Sequence, residues 1–487
     1  MNRAAYHTLP GTAAQRNRRG TVLLLALSIG AGALLSRLEL SMALAAACLP
    51  LVMVLAAAIV RWPGSGLLLA LVFSFLAAGM SRYVPLPWGL GVDLILALCV
   101  LGLVFQKIRS PDWALLKNDA ILLAVIWFGY LLLELLNPEA PGPVAWAYAV
   151  RGIGLYNLFV FAVAFMYLRR PHHLELFLKL VFWLSALGAL WGFRQQFFGL
   201  DFAEDYWIWD EGHHDEHVLH GVLRVFSFYS DAGQFGASQA MIALMCSVLI
   251  LGPLPLRKKF FYGFVAALTL FGFLFSGTRG ALAVPAAGVL VYLVLSKNFK
   301  ILAAGLVAIG LVFYLLKFTF VLHSFQPVAR LRTALSVDNP SLQARLRNQV
   351  TFSNYLKGRP LGGGVGSAGY WGERFRPGSL LAETPTDSYY VKIWAETGII
   401  GICLHLLMLG YFLGKGSFIV WNIRDPVLRY RAMALLAAFG GVLLASYGNQ
   451  VYSQFPTGII MPVALSMIFM APDFDRQLLN EKEPSEI

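Results

Sequence analysis

The chain has 487 residues, of which 58% are hydrophobic and only 13% charged, with a formal net charge of +12. A soluble domain carries about 25% charged and 45–50% apolar residues, so one core beneath a water-facing surface cannot absorb this composition. Repeated apolar runs of roughly 17–25 residues predict transmembrane helices and an all-α polytopic membrane protein. The basic excess falls in short loops, where it sets orientation, so no nucleic-acid partner is expected.

In chain order, residues 1–20 read as a cytoplasmic tail with Arg16, Arg18 and Arg19. The apolar stretch that follows shows no small-residue cleavage pattern and reads as a first span rather than a leader. About 14 spans are predicted from hydropathy: 21–37, 42–60, 66–82, 87–106, 119–136, 144–168, 175–194, 232–252, 259–275, 279–296, 300–320, 390–414, 430–447 and 457–471. With both termini cytoplasmic, Arg61, Lys107 to Lys117, Arg169–Arg170, Arg257 to Lys259, Lys297–Lys300 and Lys415 to Arg431 all fall inside. That leaves two long segments outside, 195–231 and 321–389. The second is a large periplasmic loop between the eleventh and twelfth spans, and function is expected there and at the helix ends around it. The segment 390–471 holds the last three spans. The tail 472–487 is polar, acidic from Asp473 onward, and reads as disordered. Cys48, Cys99, Cys246 and Cys403 all lie inside apolar runs and read as small core residues, not metal ligands.

Candidate chemistry lies in five places. Arg151 sits two turns into the sixth span, where a cation is costly unless paired or wet; it reads as an anion ligand in a cavity, as a structural ion pair or as a side chain snorkelling to the surface. Arg224-Val-Phe-Ser-Phe-Tyr-Ser-Asp-Ala-Gly-Gln-Phe-Gly236 brings an Arg and aromatics to a helix entry, where Asp231 can act as an N-cap. His213-His-Asp-Glu-His217-Val-Leu-His220 has a spacing that would permit two metal ligands. Its neighbours Asp201, Glu204, Asp205, Asp210 and Glu211 favour a solvated acidic surface, and no metal is expected. Ser276-Gly-Thr-Arg-Gly280 forms a turn too short for a solvated loop, which leaves Arg279 at the rim with a fork suited to phosphate.

The large loop contains Arg330, Arg332, Arg345 and Arg347, then Gly358-Arg-Pro-Leu-Gly-Gly-Gly-Val-Gly366, whose N–H groups around Gly364 and Gly366 could form an anion nest. No Gly-Lys-Ser/Thr follows, so this is not a nucleotide P-loop. Thr384-Pro-Thr-Asp387-Ser-Tyr389 then opens the twelfth span. Asp387 is placed to cap that helix. Glu396, with Lys392 four residues before it, reads as structural.

The order of these pieces is an Arg-bearing span and Ser-Gly-Thr-Arg at a short outer turn. Arg345 follows, fifteen residues before Pro360-Leu-Gly-Gly-Gly-Val-Gly366, and then a helix-opening polar pair and Glu396-Thr-Gly-Ile-Ile-Gly401. It resembles the O-antigen ligase and Wzy-type polymerase superfamily of bacterial envelope glycan assembly. Arg347 with Gly358 also fits the Arg-x10-Gly pattern associated with Wzy polymerases. The resemblance implies a GT-C-like fold in the bacterial inner membrane with its active site facing the periplasm. It implies an undecaprenyl-diphosphate-linked glycan as donor and as acceptor, membrane lipid around the protein, and no cofactor. A chain-length regulator and a flippase are implied as partners.

By the same resemblance Asp387, Arg279 and Arg345 are the catalytic candidates, and Arg151, Arg224, Arg347, Gly364, Gly366 and Tyr389 the substrate-binding ones. The resemblance carries the base role onto Asp387; ligases usually have a His-Asn pair where this chain has Asp387-Ser388, which argues against a typical lipid A–core ligase transferring finished glycan and towards a polymerase extending repeat units or a divergent relative. A transporter is the reading of another class. Against it stand the lack of an inverted repeat and the size of the external loop. A polyprenyl-phosphate mannosyltransferase would need acidic residues in a first external loop, which here is only about Leu38–Ser41.

Overall fold

A computed structural model describes residues 40–109, 113–219, 221–320, 326–333 and 340–481. The expected first span, 21–37, the N-terminal tail and His220 lie outside these. The chain divides into two units at Arg61, and the helix Leu40–Arg61 belongs to the first. Everything below concerns the second unit.

The chain is an all-α polytopic membrane protein. Among the described residues ten helices are long and apolar enough to cross a membrane: Pro63–Tyr83, Gly89–Ile108, Asp119–Leu136, Pro143–Tyr167, Pro171–Phe198, Ala232–Leu251, Leu256–Phe275, Phe299–Phe318, Tyr389–Asn422 and Pro426–Ala445. An eleventh is counted if Thr457–Phe469 and Ala471–Asn480, bent by 52°, form one span. The larger expected number included 279–296, whose apolar stretch Arg279–Leu295 is shorter than a span, and 42–60, which lies in the first unit. One two-stranded hairpin, Val218–Leu219 with Val222–Leu223, departs from the all-helical expectation.

The starts of the helices are written locally. Proline opens those at Pro63, Pro143, Pro171 and Pro426, where its missing N–H costs nothing. Asn118 accepts from Ile121 N at 3.0 Å, Asp231 from Gln234 N at 2.9 Å and Asp425 from Leu428 N at 2.8 Å.

Ala232–Leu251 and Pro426–Ala445 are the most deeply covered spans. Small residues let their partners approach closely, as in lipid generally. A Cβ on Gly288 would meet Leu244 at 2.2 Å, and one on Gly441 would meet the Val284 carbonyl at 2.5 Å. Phe299–Phe318 buries none of its residues, so its apolar surface is left for lipid.

The bundle has two chemically distinct ends. At one, the Glu175 carboxylate faces Lys258 at 3.0 Å, Arg431 at 3.5 Å and Lys179 at 3.6 Å. Here the tail corrects the expectation of disorder, because Ala471–Asn480 is a helix. Its Asp475 accepts from the backbone N–H groups of Arg424, at 3.0 Å, and Asp425, at 2.8 Å, and so fixes the segment across the entry of the Pro426–Ala445 helix. The other end carries the long polar segments and the candidate site.

Candidate active site

The segment 199–231 is a folded cap. Asp201 opens the helix Phe202–Trp209 in a reciprocal capping box with Glu204. Glu204 is 1% exposed; it accepts from Trp191 Nε1 at 2.7 Å and Gln195 Nε2 at 2.8 Å and pairs with Arg194, which also reaches Asp201. The expected solvated acidic surface therefore holds for Asp205, Asp210 and Glu211 but not for Asp201 and Glu204, which are tied to a cation on the Pro171–Phe198 helix. Arg82 lies over the rings of Trp207 and Phe226 and donates to the Ser227 carbonyl at 2.6 Å, which anchors the cap to the bundle.

His217, from the run that suggested a metal cluster, is buried against Trp207 and Phe226 with Nδ1 on the His213 carbonyl at 3.1 Å. Among the described residues no group of three His, Cys, Asp or Glu side chains could hold a metal ion. Burial pushes the His217 imidazole down to about 4, with nearby Arg224 and Arg82 adding to this against the His213 carbonyl and Asp231. A histidine depressed in the folded state stabilises it above the unfolded pKa of about 6.5, and that stability is lost as pH falls toward 4. The protection factors of residues 202–219 against hydrogen exchange, with the intrinsic rate at each pH divided out, are therefore expected to fall between pH 6.5 and 4, and His217→Phe should flatten the dependence. Unchanged pH dependence in that variant would show that another group controls the cap.

Arg224 leaves the hairpin pointing at the Ser276–Arg279 turn. It donates from Nη2 to Thr278 Oγ1 at 3.0 Å and from Nη1 to the Glu216 carbonyl at 2.9 Å. Thr278 Oγ1 in turn donates to the Ala232 carbonyl at 2.8 Å. The turn rests on Gly236, where an added Cβ would meet Ser276 Oγ at 2.2 Å. Gly277 has φ 59°, and the Arg330 guanidinium lies directly over it, 2.6 Å from where a Cβ would stand. Arg279 follows at once. Burial, and then the charge of Arg330, pushes the Arg224 guanidinium below its ordinary value; burial, and then Arg279, does the same to Arg330.

Arg345 completes the group from the helix Pro340–Leu356. It is within electrostatic range of Arg279, and one of its terminal nitrogens lies 3.8 Å from where a Cβ on Gly448 would stand. Its Nε is 3.7 Å from Asp387 Oδ2, an ion pair too long to be a hydrogen bond. Four guanidiniums thus converge on one rim with a carboxylate beside them. Crowding like charges is unfavourable, and a bound polyanion with bidentate oxygens reverses that balance.

Asp387 was expected to cap the Tyr389–Asn422 helix. Ser388 does so instead, accepting from Val391 N at 3.5 Å. Asp387 is left 46% exposed on the rim, facing Arg345.

Other sequence candidates lie elsewhere. Tyr389 is fully buried, with its hydroxyl 3.0 Å from His405 Nε2 and its N–H on the Ser446 carbonyl, so its side chain is turned into the bundle and away from the rim. The reason is helical geometry: two residues beyond Asp387 the chain has turned inward. Arg347 is exposed on the Pro340–Leu356 helix, two positions and so about 200° round from Arg345.

Gly364 and Gly366 have φ 83° and 86°, but their α-carbons pack on Ala140 and Ala145. The anion facing this loop is internal. It is the buried Glu396 carboxylate, which meets the N–H groups of Gly366 and Ala368 without full hydrogen-bond geometry. Gly398 kinks the helix just beyond, at φ 63°, where a Cβ would stand 2.0 Å from the Pro360 carbonyl. Arg151 opens a single π-helical turn, Arg151–Leu155, and pairs with Asp93 on the helix Gly89–Ile108.

Two contributors were not among the expected site residues. One is Arg330, read from sequence only as one arginine of the large loop. The other is the polar run Ser446-Tyr-Gly-Asn-Gln-Val-Tyr-Ser-Gln454 between the last spans. Within it Gln450 donates to Thr386 Oγ1 at 3.2 Å, Gln454 to Asp231 at 3.3 Å, and Tyr447 accepts from Gln349 at 3.2 Å. The density of amides and hydroxyls in so short a connection was its signal.

Fold and site together define a class: a polytopic helical membrane protein whose polar cap gathers arginines and a carboxylate at one end of the bundle. The family model described as O-Antigen ligase matches residues 263–406, a stretch that contains Arg279, Arg330, Arg345 and Asp387. An O-antigen polymerase from Salmonella muenchen is 25% identical over 196 residues, which is 39% of this chain and 46% of that protein. The match thus spans less than half of that curated relative's length. The resemblance to the O-antigen ligase and Wzy-type polymerase superfamily is therefore shown by comparison as well as by motif.

Proposed function

We propose that this protein is a membrane glycosyltransferase that polymerises oligosaccharide repeat units carried on undecaprenyl diphosphate. The observation that carries the reading is Asp387 paired with Arg345 on a rim shared with Arg279, Arg330 and Arg224. An acceptor hydroxyl attacks the anomeric carbon of the donor, and Asp387 takes its proton. The bond from the anomeric carbon to the diphosphate oxygen breaks, and lipid diphosphate leaves. The arginines stabilise the charge that grows on it. The donor carries its own leaving group, so no nucleotide is needed. The basic loops at the opposite end support a cytoplasmic position for that end and a periplasmic one, at the inner membrane, for the site. A chain-length regulator and a flippase of the same route are the natural partners.

The O-Antigen ligase description of the matching family model favours a second reading, transfer of glycan to a different acceptor. Purified full-length protein in lipid nanodiscs, supplied with lipid-diphosphate repeat units, separates the two. A ladder of products still on lipid diphosphate is expected. Transfer only to an added acceptor such as lipid A–core would establish the ligase reading, and no new glycosidic bond with either acceptor would sink both.

A further inference from the structure

Beside the arginine rim lies a separate cavity of about 250 Å³. Tyr148 and Trp371 line one wall, stacked on each other with ring centroids 4.6 Å apart. Arg151 lies within 5.2 Å of the Tyr148 ring and 5.8 Å of Trp371. Gln450 and Gln454 also line it. Gln454 turns its Nε2 to Asp231, and its Oε1 has no hydrogen-bond partner among the described residues.

The guanidinium at the cavity is already paired: Arg151 pairs with Asp93, whose other oxygen accepts from Tyr156 at 2.6 Å. Lys392, also lining the cavity, lies in electrostatic range of the buried Glu396 four residues on. The cavity offers flat aromatic carbon and amides that both donate and accept beside that paired guanidinium. A neutral sugar ring has the matching surfaces, an apolar C–H face and a rim of hydroxyls. The volume admits one ring and is small for a drug-sized ligand.

The cavity is joined to the reacting site by a short path. Gln450 lines it and also donates to Thr386, the residue before Asp387. The connection 446–456 therefore borders the arginine rim with Gly448 and this cavity with Gln450 and Gln454.

The geometry points to a subsite for one neutral sugar ring of the lipid-linked glycan, held between the Tyr148–Trp371 wall and the Gln450–Gln454 amides, adjacent to the bond-forming site. The assignment rests on the glycosyltransferase reading for which glycan arrives there, but the binding itself can be tested without turnover. Full-length protein in nanodiscs is probed by saturation-transfer NMR with methyl glycosides of neutral hexoses and of hexuronic acids. Transfer to the neutral glycosides is expected, weakened about tenfold in affinity by Trp371→Ala, a loss of the size of one good contact. Gln450→Ala, which spares the aromatic wall, gives a parallel loss if the larger truncation unfolds the cap.

Signal that is absent, unaffected by both variants, or stronger for the hexuronic acids overturns the subsite. In the elongation assay Trp371→Ala should raise KM for the lipid-linked repeat unit and leave kcat close to wild type. Glycoside binding with no elongation by the unaltered protein would instead overturn the glycosyltransferase reading and leave the sugar site standing.

Discussion

Asp387→Asn is expected to lower the rate of glycosidic bond formation by about 10²–10⁴-fold, the range that a positioned general base supplies. The substitution keeps side-chain shape and removes only the ability to take a proton. Its effect on folding should be small for a structural reason. Ser388 supplies the helix cap, so the helix start does not depend on Asp387. The carboxylate is half exposed, and its ion pair with Arg345, at 3.7 Å, is the kind of surface contact worth about 1 kcal/mol or less.

Turnover of lipid-diphosphate repeat units and the thermal unfolding midpoint should therefore separate cleanly, the first collapsing while the second barely moves. Ser388→Ala gives the converse control, since loss of a cap costs about 1 kcal/mol of stability with the base intact. A folded Asp387→Asn protein that elongates glycan at the wild-type rate would remove Asp387 from the chemistry.

How much of this was readable from the chain alone depends on the range of the interaction. The membrane class and most span boundaries follow from local hydropathy, and Asp119–Leu136 and Ala232–Leu251 lie where the apolar runs placed them. Arg279 was legible because five residues between two apolar runs leave an arginine nowhere to go but the rim. Arg330 and Arg332 could not be told apart. They stand in one short helix, and only the fold shows Arg330 over Gly277 while Arg332 donates to the Thr319 carbonyl.

Tyr389 was misjudged because nearness in sequence to Asp387 was taken as a shared surface, whereas a helix turns its second residue inward. Gly364 and Gly366 were recognised as positions that need positive φ. That their α-carbons meet Ala140 and Ala145, more than two hundred positions earlier, is a long-range fact that no local pattern contains. The tail misled in the same way. Its polarity resembles disorder, but Asp475 finds the backbone N–H groups at the entry of another helix.

Arg279→Ala should cost about 10²–10³-fold in turnover, the usual penalty for removing one preorganised donor at a site of developing charge. Arg279 stands where the Ser276–Thr278 turn meets the short 3₁₀ segment Arg279–Leu282, a backbone held by Gly236 below and by the Arg224–Thr278 bond beside it. Both Arg330 and Arg345 lie within electrostatic range of it, so a diphosphate in contact with one is in the field of all three. Negative charge on the leaving diphosphate grows as the anomeric bond breaks, so the loss should fall mainly on kcat and less on KM.

Arg279→Lys should recover part of the rate, because the charge returns without the planar two-pronged fork. Residues that grip one anion together are not additive, so Arg279→Ala combined with Arg345→Ala should lose less than the product of the two single losses. Initial rates on the lipid-linked repeat unit decide the matter. Equal rates for the Ala and Lys variants, both near wild type, would show that Arg279 does not hold the leaving group. A loss confined to KM would make it a binding contact for the ground state only.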